Sequence, residues 1–261
     1  MIRQKWDEGV LACSVGGRGE ARAGGGCQTR TMSTSGIDIR PLDTLEAIVA
    51  GAQVFDDVWV GDRATMPANI LRALEHSGNY VVGLYDGDRM IGASAAFFGP
   101  PAERTMHSHI TGILPGYQGR GLGRQLKVHQ REWALERGIG RITWTFDPLI
   151  RRNAHFNLAV LGATATEYLV NQYGEMPDDV NRGDESDRLM VSWAVAEPPA
   201  PTPADDVVRA VVEIPDDIEA LRRSDPAAAA EWRYRVRDEL RGHLASGLRI
   251  GGVGGRGYLL V

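Results

Sequence analysis

The sequence predicts an α/β domain of the α+β type, a mixed central sheet flanked by helices, with a small α/β extension at its C-terminal end. From Ile37 onward, strand-like runs and stretches of helical periodicity follow in the order β, α, β, β, β, α, β, α, with further strands beyond. Such alternation folds as layers around one sheet. Asp86-Gly87-Asp88 stands between two apolar runs, the signature of an antiparallel hairpin turn. The glycine-rich run Pro115 to Gly123 joins a strand to a helix.

Ile37-Asp38-Ile39-Arg40 alternates as a short strand. Asp43 or Thr44 then caps a helix to about Val54, with Leu45, Ile48 and Val49 on one face. Ala68 to His76 forms a second helix. Tyr80 to Tyr85 and Met90 to Phe98 are the hairpin strands, and Thr105 to Leu114 is the next strand. The helix after the glycine run extends to about Arg137, and Leu126, Val128, His129, Trp133 and Leu135 supply much of its apolar face. Gly138 and Gly140 stop it. Arg141 to Phe146 is a strand ended by Pro148, Arg151 to Leu161 is helical, and Leu189 to Val195 is a strand.

The prolines between Pro198 and Pro203 make a stiff, extended spacer. After it come a strand over Val207 to Ile214, a helix over Ala227 to about Leu244, and short strands at Leu248 to Ile250 and Tyr258 to Val261. A tail this small holds no core alone, so it is expected to pack on the first domain or on a second copy of the chain, as in a homodimer. The expected division is a leader over 1–31, a domain over 32–197, a linker over 198–206 and an extension over 207–261.

Of the 261 residues 43% are apolar and 24% charged, near globular averages, which excludes a mainly disordered or fibrous protein. Lys and Arg total 29 against 34 Asp and Glu, a net charge of -5, so there is no general basic footprint for nucleic acid or an anionic membrane. Any phosphate must be met locally. Only Lys5 and Lys127 are lysines, a bias toward arginine with no chemical reading at this level. Cys13 and Cys27 both lie in the leader, so the remainder has no disulfide framework and no cysteine nucleophile.

No run approaches the roughly 18–20 apolar residues that span a bilayer. Val10-Leu11-Ala12-Cys13 faintly resembles a lipoprotein cleavage site, but charged residues precede it where a signal needs an apolar stretch, so the cytoplasm is the expected location. The glycine-rich leader is expected to be disordered, with Met32 as the natural start.

The central signal is Ile113-Leu114-Pro115-Gly116-Tyr117-Gln118-Gly119-Arg120-Gly121-Leu122-Gly123-Arg124. Glycines let a backbone turn sharply and approach a ligand, and free amides at the next helix's N-terminus favour a phosphate. A nucleotide P-loop needs Gly-Lys-Ser/Thr, which the chain lacks. The dinucleotide pattern Gly-x-Gly-x-x-Gly fails in this run, because Arg124 or Leu126 stands at its last position. Gly252, Gly254 and Gly257 match it literally, yet no helix follows to hold a pyrophosphate.

Gln118-x-x-Gly121-x-Gly123, between strand and helix, resembles the acyl-CoA pyrophosphate loop of the GNAT superfamily of N-acyltransferases. His107-Ser108-His109, Trp144 to Leu149, Asn153 to Asn157 with Leu161-Gly162-Ala163, Asn171 to Gly174, Asp187-Arg188-Leu189 and tail segments around Glu213-Ile214-Pro215, Asp225-Pro226 and Trp232-Arg233 are similar to a bacterial subgroup of predicted acetyltransferases with a C-terminal extension.

The resemblance implies a sheet splayed at the acyl-CoA site, with acetyl-CoA or another acyl-CoA as co-substrate and no metal. It puts Gly119, Arg120, Gly121, Leu122, Gly123 and Arg124 around the pyrophosphate, with Ile113 and Gln118 beside it. A strand amide near Leu114 would face the thioester oxygen. Many members take the amine proton with a carboxylate nine to eleven residues before the loop's Gln, positions held here by His109 and His107. Strand periodicity sets both on one face, and an imidazole near its ordinary pKa suits a general base at neutral pH. The family's leaving-group Tyr is replaced by Leu158. Tyr173 or Tyr168 substitutes for it, or the thiolate leaves unassisted.

Asn157 is placed toward the pantetheine arm, while Asp147, Trp144 and Arg188 are candidates for the acceptor. The expected activity is transfer of an acyl group, most simply acetyl, to the amine of a small molecule by direct attack in a ternary complex. A non-catalytic acyl-CoA sensor and a succinyl-CoA-dependent amino-acid N-succinyltransferase are the alternatives.

Overall fold

The computed structural model describes residues 36–61, 64–174, 176, 184–198 and 202–261, and these form one compact unit. The leader, with Cys13, Cys27 and Met32, and part of the proline spacer lie outside the described residues. The strands β1 (Ile37–Pro41), β2 (Tyr80–Asp86), β3 (Arg89–Phe98), β4 (Thr105–Ile113), β5 (Arg141–Phe146), β6 (Thr164–Leu169) and β7 (Arg188–Ala194) make a sheet in the order β1-β2-β3-β4-β5-β7-β6. Among the described residues, only β4 and β5 pair in parallel in this sheet. Gly87 adopts the positive φ of 62° that the β2–β3 turn requires.

Helices cover both faces, so the central strands are apolar on both sides. On one face α1 (Leu45–Val58) and α2 (Ala68–His76) bury Ile48, Phe55 and Leu71 against Val81, Ala93 and Ala95. Thr44 caps α1, its Oγ1 accepting from the Ala47 amide at 3.1 Å. The buried stripe of α1 is Ile48, Ala52 and Phe55, at i, i+4 and i+7. Leu45 and Val49, expected with Ile48, are exposed at 62% and 52%.

On the opposite face lies α3 (Leu122–Glu136), whose buried residues are Leu122, Leu126, Lys127, Gln130 and Ala134. Leu135, assigned to its apolar face by pattern, is exposed, and two polar side chains take interior positions instead.

Two irregularities of β4 shape the site. Ala95 pairs with Ile110 but Ala96 pairs with Ser108, so His109 is an extra residue in a β-bulge. Beyond the bulge the alternation is reset. Ser108 and Thr111 both face the α3 side, bonding Lys127 and Ser94, while Ile110 packs into the α1/α2 cluster. The second irregularity is that β4 pairs with β5 only through Thr105↔Arg141, Met106↔Ile142 and His107↔Thr143. Past His107 the strands part, leaving the later half of β4 unpaired on its β5 side.

The helical stretch after β5 is α4 (Arg151–Ala154) followed by a π-helical turn over His155–Val160. In the tail, β8 (Ala210–Glu213), β9 (Ile250–Val253) and β10 (Gly257–Leu260) form a second sheet in the order β8-β10-β9, with α5 (Ile218–Ser224) and α6 (Pro226–Ala245) beside it. Asp225 caps α6 and Pro226 starts it, where its missing N–H costs nothing. Val212, Ile214, Val236, Leu240 and Tyr258 share one core with Phe146, Leu189 and Val191, and the Tyr258 hydroxyl donates to the Pro148 carbonyl at 2.7 Å. The pattern gave no separate sign of β6 or α5, and the strand expected from Val207 begins only at Ala210, after a 3₁₀ turn.

Candidate active site

The glycine run turns β4 into α3 through a 3₁₀ turn at Pro115–Tyr117 and two left-handed glycines, Gly119 at φ 77° and Gly121 at φ 76°. Only glycine takes such angles without strain. Gln118 braces the turn, its Nε2 donating to the Ile113 carbonyl at 2.9 Å. Gly121 is the N-cap of α3 and offers no side-chain acceptor, while its carbonyl receives the Arg124 and Gln125 amides. Among the described residues, nothing accepts from the amides of Gly119, Arg120, Gly121, Leu122 and Gly123. Five donors at the positive end of a fifteen-residue helix form a site for a polyanion. Arg120 and Arg89 lie over the Tyr117 ring at 5.2 and 5.7 Å and add positive charge; Arg89, the first residue of β3, carries no sequence signal.

Beside this loop is the open edge of β4. The Leu114 amide, expected to face the thioester, donates instead to the Ile91 carbonyl at 3.0 Å and is spent inside the sheet. Strand alternation then directs the amides of Thr111 and Ile113 away from β3, into the splay. Gln118's hold on the Ile113 carbonyl from that side agrees with this.

His107 and His109 share a face as expected, with ring centroids 6.3 Å apart and Phe97 within 5.3 and 5.8 Å of them. His107 Nδ1 lies 3.2 Å from Thr143 Oγ1 across the last paired register. Neither ring keeps its ordinary pKa. Burial, then His109 and Lys127, lowers His107 to about 4. His109 is open to solvent but sits against Phe97, and partial loss of water lowers its pKa as well. Both are neutral at pH 7, and His109, with burial its only depressing cause, is the better base.

Lys127, which composition passed over, is the lysine of the described residues and is buried under the end of the β4–β5 pairing. Its Nζ donates to Ser108 Oγ at 2.8 Å and Gln130 Oε1 at 3.1 Å and sits 4.0 Å from the Trp144 ring centroid. Among the described residues no carboxylate pairs with it, and burial pushes its pKa down to about 7.

Four side chains assigned by sequence to the pantetheine or the acceptor have other surroundings. Trp144 is core: it packs edge-on against Trp193 and donates to Asn157 Oδ1 at 3.1 Å. That bond turns the Asn157 carbonyl inward. Asp147 does not face the acceptor. Its two oxygens accept from Arg233 at 2.8 and 2.9 Å and from Arg222 at 2.6 Å, and these guanidiniums hold the buried carboxyl well below the usual range. Arg188 does not pair with the Asp187 carboxylate, which Arg237 holds; it is buried, donates to the Asp187 backbone carbonyl and lies 5.4 Å from the Tyr173 ring.

The Tyr168 hydroxyl donates a hydrogen bond to Asp187 Oδ2 at 2.6 Å, and burial together with that bond raises its pKa, so it is no proton donor for a leaving group. Tyr173 is exposed at 45%, with its hydroxyl 2.9 Å from Thr145 Oγ1. Thr143 and Thr145 alternate onto the same face of β5, so His107 and Tyr173 stand along one side of the splay.

Residues 50–156 match the acetyltransferase (GNAT) family. The chain is 37% identical over 99 residues to the N-alpha-acetyltransferase RimI of Mycobacterium tuberculosis, an alignment that covers 37% of this chain and 61% of that protein. It thus spans about three-fifths of the length of the curated relative it matches. The fold is similar to the ribosomal-protein-S18-alanine N-acetyltransferase of Escherichia coli, with TM-score 0.51 and 14% identity over 62% of this chain and 96% of that one. It is equally similar to an N-acetyltransferase of Staphylococcus aureus Mu50, with TM-score 0.51 and 13% identity over 61% of this chain and 98% of that one. Residues 50–156, which include the glycine loop and the point where β4 parts from β5, are thus the part of the chain that resembles the acetyltransferase (GNAT) family.

Proposed function

We propose that this chain is an acyl-CoA-dependent N-acyltransferase that moves an acetyl group from acetyl-CoA to the amine of a small molecule in a ternary complex. What carries the proposal is the conjunction of five unengaged backbone amides at the start of α3 with a sheet opened beside them. The amides of Gly119 to Gly123 hold the pyrophosphate, flanked by Arg120 and Arg124. The edge of β4 takes the pantetheine in the splay, and the amide of Thr111 or Ile113 donates to the thioester oxygen, where negative charge grows as the amine attacks.

His109 takes the amine proton, directly or through one water, with His107 positioned behind it by Thr143. The amine nitrogen bonds to the carbonyl carbon, and the carbon–sulfur bond then breaks. Tyr173 protonates the thiolate, or the thiolate leaves unassisted, since an ordinary thiol pKa of about 8.5 makes it a fair leaving group.

A second reading has an observation of its own: the matched relative is an N-alpha-acetyltransferase, which favours the α-amine of a peptide. Release of CoA thiol from acetyl-CoA, followed across free amino acids, polyamines and a peptide beginning with Ala, separates the two. Turnover on a free amine supports the proposal, and turnover confined to the peptide supports the second reading. Saturable acetyl-CoA binding without turnover on any acceptor overturns both in favour of a sensor. Parallel runs with succinyl-CoA identify the acyl group.

A further inference from the structure

The turn that carries Tyr173 is held by polar bonds rather than by burial. Val170, Asn171, Gln172 and Tyr173 are all exposed, and Asn171 has a left-handed φ of 45° without being glycine. Its bonds run to one short segment. Asp187 Oδ1 accepts from the Asn171 amide at 2.9 Å, the Ser186 carbonyl from the Gln172 amide at 3.0 Å, and Ser186 Oγ from the Tyr173 amide at 2.9 Å. Asn171 Oδ1 accepts in return from the Ser186 amide at 3.2 Å.

That segment is in turn gripped by the tail. Arg237 donates to both Asp187 oxygens at 2.8 and 2.7 Å and to Glu185 at 2.6 Å. One turn earlier on α6, Arg233 joins Asp184 to Asp147 at the end of β5, and Arg222 of α5 bonds the same two carboxylates. Asp147, Asp184, Asp187, Arg222 and Arg233 have side chains less than a tenth exposed. A buried ionic cluster adds little over apolar packing as stability, so its particular product here is geometry.

We infer that α5 and α6 are a positioning clamp for the acceptor end of the active site, acting through residues 184–187 to fix the 171–173 turn and so the Tyr173 hydroxyl against β5. Arg237 is the positioning residue, since its planar fork alone spans Asp187 and Glu185, and a lysine at that position offers only a point charge. The inference rests on the catalytic use proposed for Tyr173 only for its consequence; the clamp is tested without it.

The test is amide hydrogen exchange in the full chain, with wild type compared to Arg237→Lys, and acetyl-CoA as the binding probe. Exchange at 171–173 is expected to rise about tenfold in Arg237→Lys while residues 119–123 and acetyl-CoA affinity stay within twofold. In protein labelled with 3-fluorotyrosine, the Tyr173 resonance, assigned with Tyr173→Phe, is expected to shift toward the position of a freely exposed tyrosine. Glu185→Gln, at a third-exposed partner, is the milder variant should Arg237→Lys not fold, with the same changes at smaller size. Unchanged exchange and an unmoved resonance, or loosening spread equally through β4 and α3, overturn the clamp. Turnover unaffected by Tyr173→Phe instead overturns the role given to Tyr173, and the exchange result is independent of it.

Discussion

The two ends of this site are built from different materials. The end proposed for acyl-CoA uses backbone: five amides, two left-handed glycines and an unpaired strand edge, all between His109 and Gly123. The end proposed for the acceptor uses side chains brought from far apart, with Asp147 meeting Arg222 and Arg233 across separations of 75 and 86 residues. Backbone donors cost nothing to hold in place once the turn forms, and they suit a ligand common to a whole family. Side-chain networks are expensive to bury but can be respecified residue by residue, and they suit the part of the reaction that differs between relatives.

The contrast is broken most severely at Arg233. Arg233→Met leaves Asp147 and Asp184 buried with one guanidinium fewer, and a loss of about 3–5 kcal/mol of stability is expected by thermal or denaturant unfolding. An unchanged melting temperature would show the network to be dispensable. Next in size is His109→Ala, with kcat lower by about 10²-fold and acetyl-CoA affinity unchanged. His107→Ala is expected to cost less, because its pKa of about 4 makes it a poor base. Equal effects would reverse the assignment.

Gly121→Ala sharpens the other side of the comparison. A methyl group there meets nothing within 4 Å, so its effect is purely the left-handed backbone, about 1–2 kcal/mol. Acetyl-CoA binding measured by calorimetry should weaken about tenfold, with the acceptor KM unmoved. Smallest at pH 7 is Lys127→Met, which removes hydrogen bonds and a desolvated charge in opposing terms of about 1 kcal/mol net.

The signature of Lys127→Met lies in the pH dependence. A lysine at about 7 in the fold and 10.5 unfolded binds fewer protons folded than unfolded between those values, so its charging penalty is relieved and stability rises with pH across that window. Melts of the variant at pH 7 and pH 10 should lose that rise. For His107 the folded value lies below the unfolded one of 6.5, so its contribution is lost as pH falls from 6.5 toward 4.

This division also explains what could be read from the sequence. The hairpin at Gly87, the second helix, β5 and the loop Gln118 to Gly123 are local patterns in which each residue's conformation follows from its neighbours. The bulge at His109 is invisible to a period-two pattern because Thr105 to Ile113 keeps its β-forming composition throughout. Which amides face β5 depends likewise on pairing and not on residue type, so the Leu114 amide turns to Ile91 and not into the splay. The partners of Asp147 lie beyond the proline spacer, out of reach of any local pattern, and the one signal for Lys127 is its rarity in an arginine-rich composition.

The central claim, that the amides opening α3 hold the pyrophosphate of acyl-CoA beside an open β4 edge, is tested most directly by titrating acetyl-CoA into ¹⁵N-labelled protein. The largest saturable shifts should fall on the amides of Gly119, Arg120, Gly121, Leu122 and Gly123, with Thr111 and Ile113 following at the same affinity. Saturable binding that moves amides elsewhere and leaves those of Gly119 to Gly123 unshifted would contradict it.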